Sequence, residues 1–414
     1  MTPEVRDPES DASADEVLEA LDLSRAEPGI GFLEALFARF NAKVPFENAS
    51  KILRDREVSD PARKPRDPAT FWSGHLSLGT GGTCFARVAA FHWLLDALGF
   101  RSRRLLGRVV RDGDHAALMV ETPAGECVVD VGFPLPAILA ARAGVVGTPQ
   151  GDLEVVETGR GFVVRYREGV PEGPRELEIF REEVPSARFE AVWRDTYRPG
   201  SRFLSEVCLR RDLGHRVLSY AAGEVRVDDR HSRLRVPMAD PAAIAGLFDV
   251  DPGVVTRALA VARPPRAAGE GASIAAYLET AAAPGEAVAA IASPAGYRRL
   301  VEGVAEVVSE ETLPDRFRLT LQPPGGSSEA AAARIEDEVS ADVSAGRVSV
   351  VRRGAAGRPF DSSWRAMARG GRTYLVREAA IPGRGEELLR NDSLRGRLAG
   401  SLAVDLLAWA RMLP

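Results

Sequence analysis

Cys84 closes the glycine-rich turn Gly79-Thr80-Gly81-Gly82-Thr83 and opens an apolar stretch with helical spacing. His115 follows at the mouth of one strand pattern, and Asp130 lies near the end of the next. A thiol at a helix N-terminus, followed by a histidine and a carboxylate, is a nucleophile, a base and an orienting group. In such chemistry Cys84 attacks as a thiolate and His115 holds its proton as imidazolium. Asp130 fixes the histidine's tautomer and stabilises its charge. The helix beginning at Cys84 adds a partial positive charge that favours the thiolate. Gly81 and Gly82 let a substrate carbonyl approach the backbone, whose N–H groups are candidates for an oxyanion hole. That order of residues suits a cysteine acyltransferase.

Three elements must bring these groups together. Cys84, Val88, Phe91, Leu95 and Leu98 fall at helical spacing, and Gly99 supplies a stop. From residue 103 the period becomes two, with strands expected over 104–110, 115–121 and 126–131. If Thr122-Pro123-Ala124-Gly125 is the hairpin connection, facing positions add to 247, so Ala117 faces Asp130 and His115 faces Gly132. His115 and Asp130 then share a face as diagonal neighbours, roughly 7–8 Å apart at the backbone. Each residue alone has a plainer role: a buried helix cysteine, a strand-edge histidine, a turn-capping aspartate. Among the other histidines, His92 lies eight residues along the helix, about 12 Å from Cys84. His75 falls in a loop. His215 and His231 lie near strand ends with no carboxylate in an equivalent setting. Cys127 and Cys208 read as strand residues packed in a core.

Ahead of this region two helices are expected within 15–40, split by Glu27-Pro28-Gly29. In the second, Leu33, Leu36, Phe37 and Phe40 form an apolar stripe. A charged, Pro-rich loop is expected from Arg54 to Pro68. Beyond the hairpin, strands are expected near 153–157, 161–167, 175–181, 203–210, 214–221 and 224–235, with helices near 187–196, 240–248 and 252–262. Ala262–Ala292, rich in Ala, Pro and Gly, reads as a connection. After it come expected strands at 297–308 and 314–321, a helix at 327–344, strands at 347–353 and 372–379, and a helix at 385–411.

The chain has 414 residues, 45% hydrophobic and 27% charged, with a net charge of −5. Those values describe a globular protein with more than one core. Neither a nucleic-acid tract nor a polybasic membrane patch is present, and no apolar run approaches the roughly 18 residues of a spanning helix. Three cysteines without CxxC or HExxH argue against a disulfide framework and a metal site. With no signal-peptide core at the acidic N-terminus, a reducing cytoplasmic setting is expected.

Three landmarks give a resemblance to the arylamine N-acetyltransferase family. Val44-Pro45-Phe46-Glu47-Asn48 resembles its VPFEN stretch. Gly81-Gly82-Thr83-Cys84-Phe85 matches the core of its RGGxCxExN nucleophile motif. His115 followed by Asp130-Val131-Gly132-Phe133 matches its histidine and DVGF segment. The likeness runs in the family's order over roughly the first 260 residues. It implies an α+β protein: a helical subdomain at 1–100 carrying the nucleophile, a β-barrel at 101–185 carrying His and Asp, and an α/β lid at 186–262. A linker at 263–292 and an additional α+β domain at 293–414 complete the chain, and no motif in the latter argues for chemistry. The resemblance also implies Cys84, His115 and Asp130 as catalytic residues, with Phe46, Glu47, Asn48, Gly81, Gly82 and Phe133 in support.

The activity so implied is ping-pong acyl transfer. An acyl thioester, acetyl-CoA or another acyl-CoA, is the co-substrate, and a small-molecule amine is the acceptor. No permanently bound cofactor, nucleic acid or membrane is expected as a partner. Two alternatives share the residues: a transglutaminase-like cysteine hydrolase or amide synthase, and a degenerate member that only binds. The motif departs from the family at Thr80 for arginine, Ala86 for glutamate and Val88 for asparagine. Losing an arginine and a glutamate together reads as the removal of a buried ion pair as a unit. Pro134 stands where a small residue is usual.

Overall fold

The computed structural model describes residues 12–133, 135–166, 176–263, 271–301, 305–313, 316–322, 335–354, 360–369, 372–381 and 383–413. Pro134 lies outside them. The chain divides into two compact units, Met1–Arg230 with Met238–Ala268, and His231–Pro237 with Gly269–Pro414. No helix among the described residues is long and apolar enough to cross a membrane.

The first unit opens with helices α1 (Ala14–Ala20) and α2 (Ile30–Lys43), on either side of the expected break. Ser13 caps α1 in a reciprocal pair with Glu16. The stripe Leu33, Leu36, Phe37 and Phe40 is buried, as its spacing requires. Strand β1 (Phe46–Glu47) leads into α3 (Ala49–Glu57), where the loop had been expected to begin at Arg54. α4 (Pro68–Leu78) went unread in the sequence, although Asp67 caps it, Pro68 opens it and Gly79 at φ +65° ends it. α5 (Cys84–Ala97) follows. It is buried on nearly every side, because helices flank it and a sheet lies beneath it.

That sheet is a nearly closed barrel of eight antiparallel strands. They are β2 (Ser102–Arg108), β3 (Asp112–Thr122), β4 (Gly125–Val129), β5 (Leu139–Ala140), β6 (Gly144–Val146), β7 (Leu153–Thr158), β8 (Gly161–Tyr166) and β9 (Glu176–Phe180). Their spatial order is β5-β4-β3-β2-β9-β8-β7-β6. The period of two sorts their side chains. Leu105, Ala117, Met119, Val128, Phe162, Val164 and Ile179 fill the barrel. Leu106, Ala116, Leu118, Val120 and Val129 pack on the helices. Beyond the barrel, α6 (Ser186–Asp195) precedes β10 (Leu209–Asp212), β11 (Val217–Ala221) and β12 (Glu224–Asp228). These three strands continue from β1 as one antiparallel sheet. α7 (Pro241–Phe248) and α8 (Pro252–Val261) close the unit.

The second unit corrects several expectations. Its sheet runs β13 (Ser232–Pro237), β14 (Ser273–Thr280), β20 (Arg372–Ala380), β19 (Phe360–Arg369), β18 (Arg347–Gly354), β17 (Ile335–Asp342), β16 (Arg316–Gln322), β15 (Glu306–Thr312). The stretch read as a linker over 263–292 therefore contains β14, and also α9 (Pro284–Ala289). The strand expected at 297–308 is α10 (Pro294–Val301) followed by β15. The helix expected at 327–344 is strand β17 over its described part; residues 323–334 lie outside the described residues. Its Ala- and Glu-rich composition favours helix, but cross-strand pairing overrides it. Glu336 and Glu338 meet Arg318, Arg316 and Arg353 on one face, while Asp337 and Val339 are buried on the other. The C-terminal helix is two pieces, α11 (Gly385–Arg390) and α12 (Asp392–Ala410). α12 lies on the sheet, with Trp409 edge-on to Trp364 at 5.6 Å.

Close approach at Gly81 gives a direct test of the first unit. A Cβ there would stand 1.7 Å from the Pro45 carbonyl oxygen, whereas one at Gly144 would meet nothing within 4 Å. Gly81→Ala is expected to cost about 3 kcal/mol or more in chemical unfolding. Gly144→Ala should stay within about 0.5 kcal/mol of the parent.

Candidate active site

The turn before Cys84 is held on three sides. Pro45 O accepts from Gly82 N at 3.3 Å, and Glu47 N donates to Gly82 O at 3.2 Å, so the Val44–Asn48 stretch is zipped to the glycines. Gly81 has to lack a side chain for this contact to form. His75, which lies on α4 and not in a loop, donates from Nδ1 to Thr80 O at 3.2 Å. Burial pushes its imidazole down to about 4, so it is neutral. From the far side Arg66 donates to Gly81 O and lies 3.9 Å from Glu47. An ion pair, Arg66 with Glu47, therefore lies beside the turn although positions 80 and 86 carry no charge.

Strand register sets the other two groups. β3 and β4 pair with Leu118 opposite Val129 and Glu121 opposite Glu126, the alignment read from the sequence. The tight turn is shorter than expected, since Thr122 and Gly125 already face each other, but the parity is unchanged. His115 and Asp130 therefore share a face, and His115 Nε2 donates to Asp130 Oδ2 at 2.7 Å. Both are buried, at 2% and 0% exposure. The second carboxylate oxygen of Asp130 accepts from the N–H groups of Gly132 and Phe133, each at 2.8 Å. Burial alone would discharge the His115 ring. The charge and hydrogen bond of Asp130, helped by the Cys84 sulfur, outweigh it and hold the imidazolium up to about 10.

Cys84 is 6% exposed and lines a cleft of about 1440 Å³ together with His115, Gly132, Phe133 and Phe46. Gly132 makes room for it: a Cβ there would lie 2.9 Å from the Cys84 Cβ and 2.4 Å from Ala116 O. Phe46 meets Phe203 edge-on at 5.4 Å. Asn48 spends its amide on backbone groups. Its Nδ2 donates to Phe203 O and Glu206 O, and its Oδ1 accepts from Cys208 N, tying β1 to the approach to β10. Glu47 accepts from Ser50 and faces Arg66. Glu47 and Asn48 are thus scaffold, whereas Phe46 and Phe133 are cleft wall.

Three groups escaped the sequence reading. Arg87 is completely buried; it donates to Val131 O at 2.6 Å, Asn41 Oδ1 at 2.7 Å and Val44 O, with its guanidinium 4.7 Å over Phe40. It clamps α2 and α5 to the end of the Asp130 segment. Cys208 is not a core strand residue but lines the same cleft, where burial pushes its thiol up to about 12 and leaves it protonated. Lys51 is the third. Its signal was a single cation in the apolar run Ala49-Ser50-Lys51-Ile52-Leu53.

A thiol beside a buried, carboxylate-paired imidazole in an open cleft is the equipment of covalent acyl transfer. Comparisons with known proteins give the same class. Residues 30–160 match the family model described as N-acetyltransferase. An arylamine N-acetyltransferase of Escherichia coli is 30% identical over 152 residues, covering 34% of this chain and 52% of that protein. The chain spans about half the length of the curated relatives it matches. Among solved structures, the M. smegmatis arylamine N-acetyltransferase aligns at a TM-score of 0.52 with 23% identity, over 59% of this chain and 97% of that one. The Mycobacterium marinum enzyme, in complex with CoA, aligns at 0.51 with 19% identity, over 59% and 98%. Over its first part the chain is thus similar to N-acetyltransferases in sequence and to arylamine N-acetyltransferases in fold.

The raised His115 value fixes a pH dependence. Below its ordinary value of 6.5 both folded and unfolded chains hold the ring proton; between there and about 10 only the folded chain does. The pair's contribution to stability is therefore complete below pH 6.5 and is lost as pH rises through about 10. Nitrogen-15 NMR of the imidazole is expected to show both ring N–H groups at pH 8. In Asp130→Asn burial dominates, and the ring should be neutral at that pH.

Proposed function

We propose that this protein transfers an acyl group from a thioester to an amine through Cys84, with His115 and Asp130 as base and orienting group. The observation that carries the reading is the Asp130–His115 hydrogen bond beside the cysteine that opens α5. In the first half-reaction the Cys84 thiolate attacks the donor's carbonyl carbon and a new C–S bond forms. The donor's C–S bond breaks, and its thiolate leaves with the proton from His115. In the second the amine attacks the acyl-cysteine, a C–N bond forms, and the Cys84–acyl bond breaks. His115 then takes the amine proton, so the enzyme returns to its starting state. The first-turn N–H groups of α5 are the donors we assign to the developing oxyanion.

For the donor we infer an acyl-CoA, acetyl-CoA first, on the strength of the CoA complex of the M. marinum relative. For the acceptor we infer a small aromatic amine, which the apolar walls Phe46, Phe133 and Phe203 suit. Intact-protein mass after brief incubation with acetyl-CoA, without amine, tests the reading. A gain of one acetyl group is expected on the parent and not on Cys84→Ala, with aniline discharging it. A thiol that alkylates with iodoacetamide yet takes no acyl group from any CoA thioester would contradict acyl-CoA as donor. A Cys84 inert to both would favour a member that only binds.

A further inference from the structure

α3 points a lysine into the reactive cleft. Lys51 is 3% exposed, yet it lines the same cavity as Cys84 and His115. Its Nζ donates to Thr196 Oγ1 at 2.7 Å and lies 4.6 Å from the centroid of the Tyr197 ring. Neither partner carries a charge. The carboxylates around it are already committed. Glu47 accepts from Ser50 and faces Arg66, and Asp55 lies 2.6 Å from Lys64. Asp114 takes the backbone N–H groups of Val109, Val110 and Arg111, and Asp195 pairs with Arg198 at 2.8 Å. Burial pushes the ammonium down to about 8, while the charges of Cys84 and Asp55 oppose the shift. At neutral pH it remains mostly a cation, and a buried cation without a counter-ion is costly unless an anion joins it.

We propose that Lys51 recognises a carboxylate on the molecule that reacts at Cys84, so that the cleft selects substrates bearing an anionic group. This rests on the acyl-transfer reading for the identity of the reaction, but the recognition itself needs no transfer. Benzoate suits the cleft: a flat apolar body for the phenylalanine walls Phe46, Phe133 and Phe203, and a carboxylate for the N–H donors of Lys51. In a substrate the same carboxylate sits either on the acyl chain, as in succinyl-CoA, or on the amine, as in 4-aminobenzoate.

The test measures iodoacetamide labelling of Cys84 by peptide mapping, with benzoate or its neutral analogue benzamide as protectant. In the parent chain benzoate is expected to protect at concentrations roughly tenfold or more below those of benzamide, the factor an added charge-assisted hydrogen bond supplies. Lys51→Met should bring the two together, and Lys51→Arg should retain part of the difference. Thermal melts of both variants report whether they fold. Kinetics then locate the carboxylate: kcat/KM for succinyl-CoA against acetyl-CoA with aniline, and for 4-aminobenzoate against aniline with acetyl-CoA. Preference for the anion in one arm, lost in Lys51→Met, supports the proposal and names the source. Equal protection by benzoate and benzamide in the parent would overturn it. So would a Lys51→Met chain that folds and keeps the preference. Selective protection by benzoate without any acyl transfer would leave Lys51 as an anion site and refute only the reaction.

Discussion

The carboxylate of Asp130 is the interaction on which the site rests. It is fully buried, and both its oxygens are used: one takes His115, the other takes the N–H groups of Gly132 and Phe133. The first contact holds a charged imidazole where burial would otherwise discharge it. The second shapes the backbone that passes Cys84, at a glycine whose missing Cβ leaves room for the thiol. A buried charge is tolerated only when its partners are complete. Here the histidine, the two amides and the nearby Arg87 complete it.

The rest of the first unit can be read as support for that carboxylate. Register on β3 and β4 puts His115 and Asp130 on one face. Arg87 ties Val131, next to Asp130, to Val44 and Asn41, and so joins the barrel strand to the helices that deliver Cys84. Val44-Pro45-Phe46-Glu47-Asn48 pins the glycine turn by backbone hydrogen bonds and the approach to β10 by the Asn48 amide. The two motifs belong together because Gly81 and Gly82 are where the first strand docks.

Much of this was legible in the sequence. Alternation over 104–131 and the Thr122–Gly125 connection were enough to place His115 beside Asp130, because a strand's side chains have only two faces. The 0, 3, 4, 7 stripe of α2 and the cap of α5 were equally plain. What could not be read depended on contacts distant in sequence. Arg66 reaches the Gly81 carbonyl from fifteen positions upstream, and no local pattern announces that. Arg87 is a lone cation on an apolar helix, and its three oxygen acceptors come from Val131, Val44 and Asn41, all more than forty positions away. In the second unit, helix-favouring Ala and Glu at 327–344 hid β17, whose Glu336 and Glu338 face arginines on neighbouring strands. Local propensity lost there to cross-strand pairing.

If Asp130 is the hub, its charge should be felt at the sulfur. The decisive measurement is the pH profile of Cys84 alkylation by iodoacetamide, site-resolved by peptide mapping, in the parent chain and in Asp130→Asn. The parent should react rapidly at pH 7, where His115 beside the sulfur is an imidazolium. Asp130→Asn should be slower by about a hundredfold at pH 7, the scale of a general-base contribution, and regain rate only as the pH rises. A folded Asp130→Asn chain with the parent's rate and profile would contradict the account.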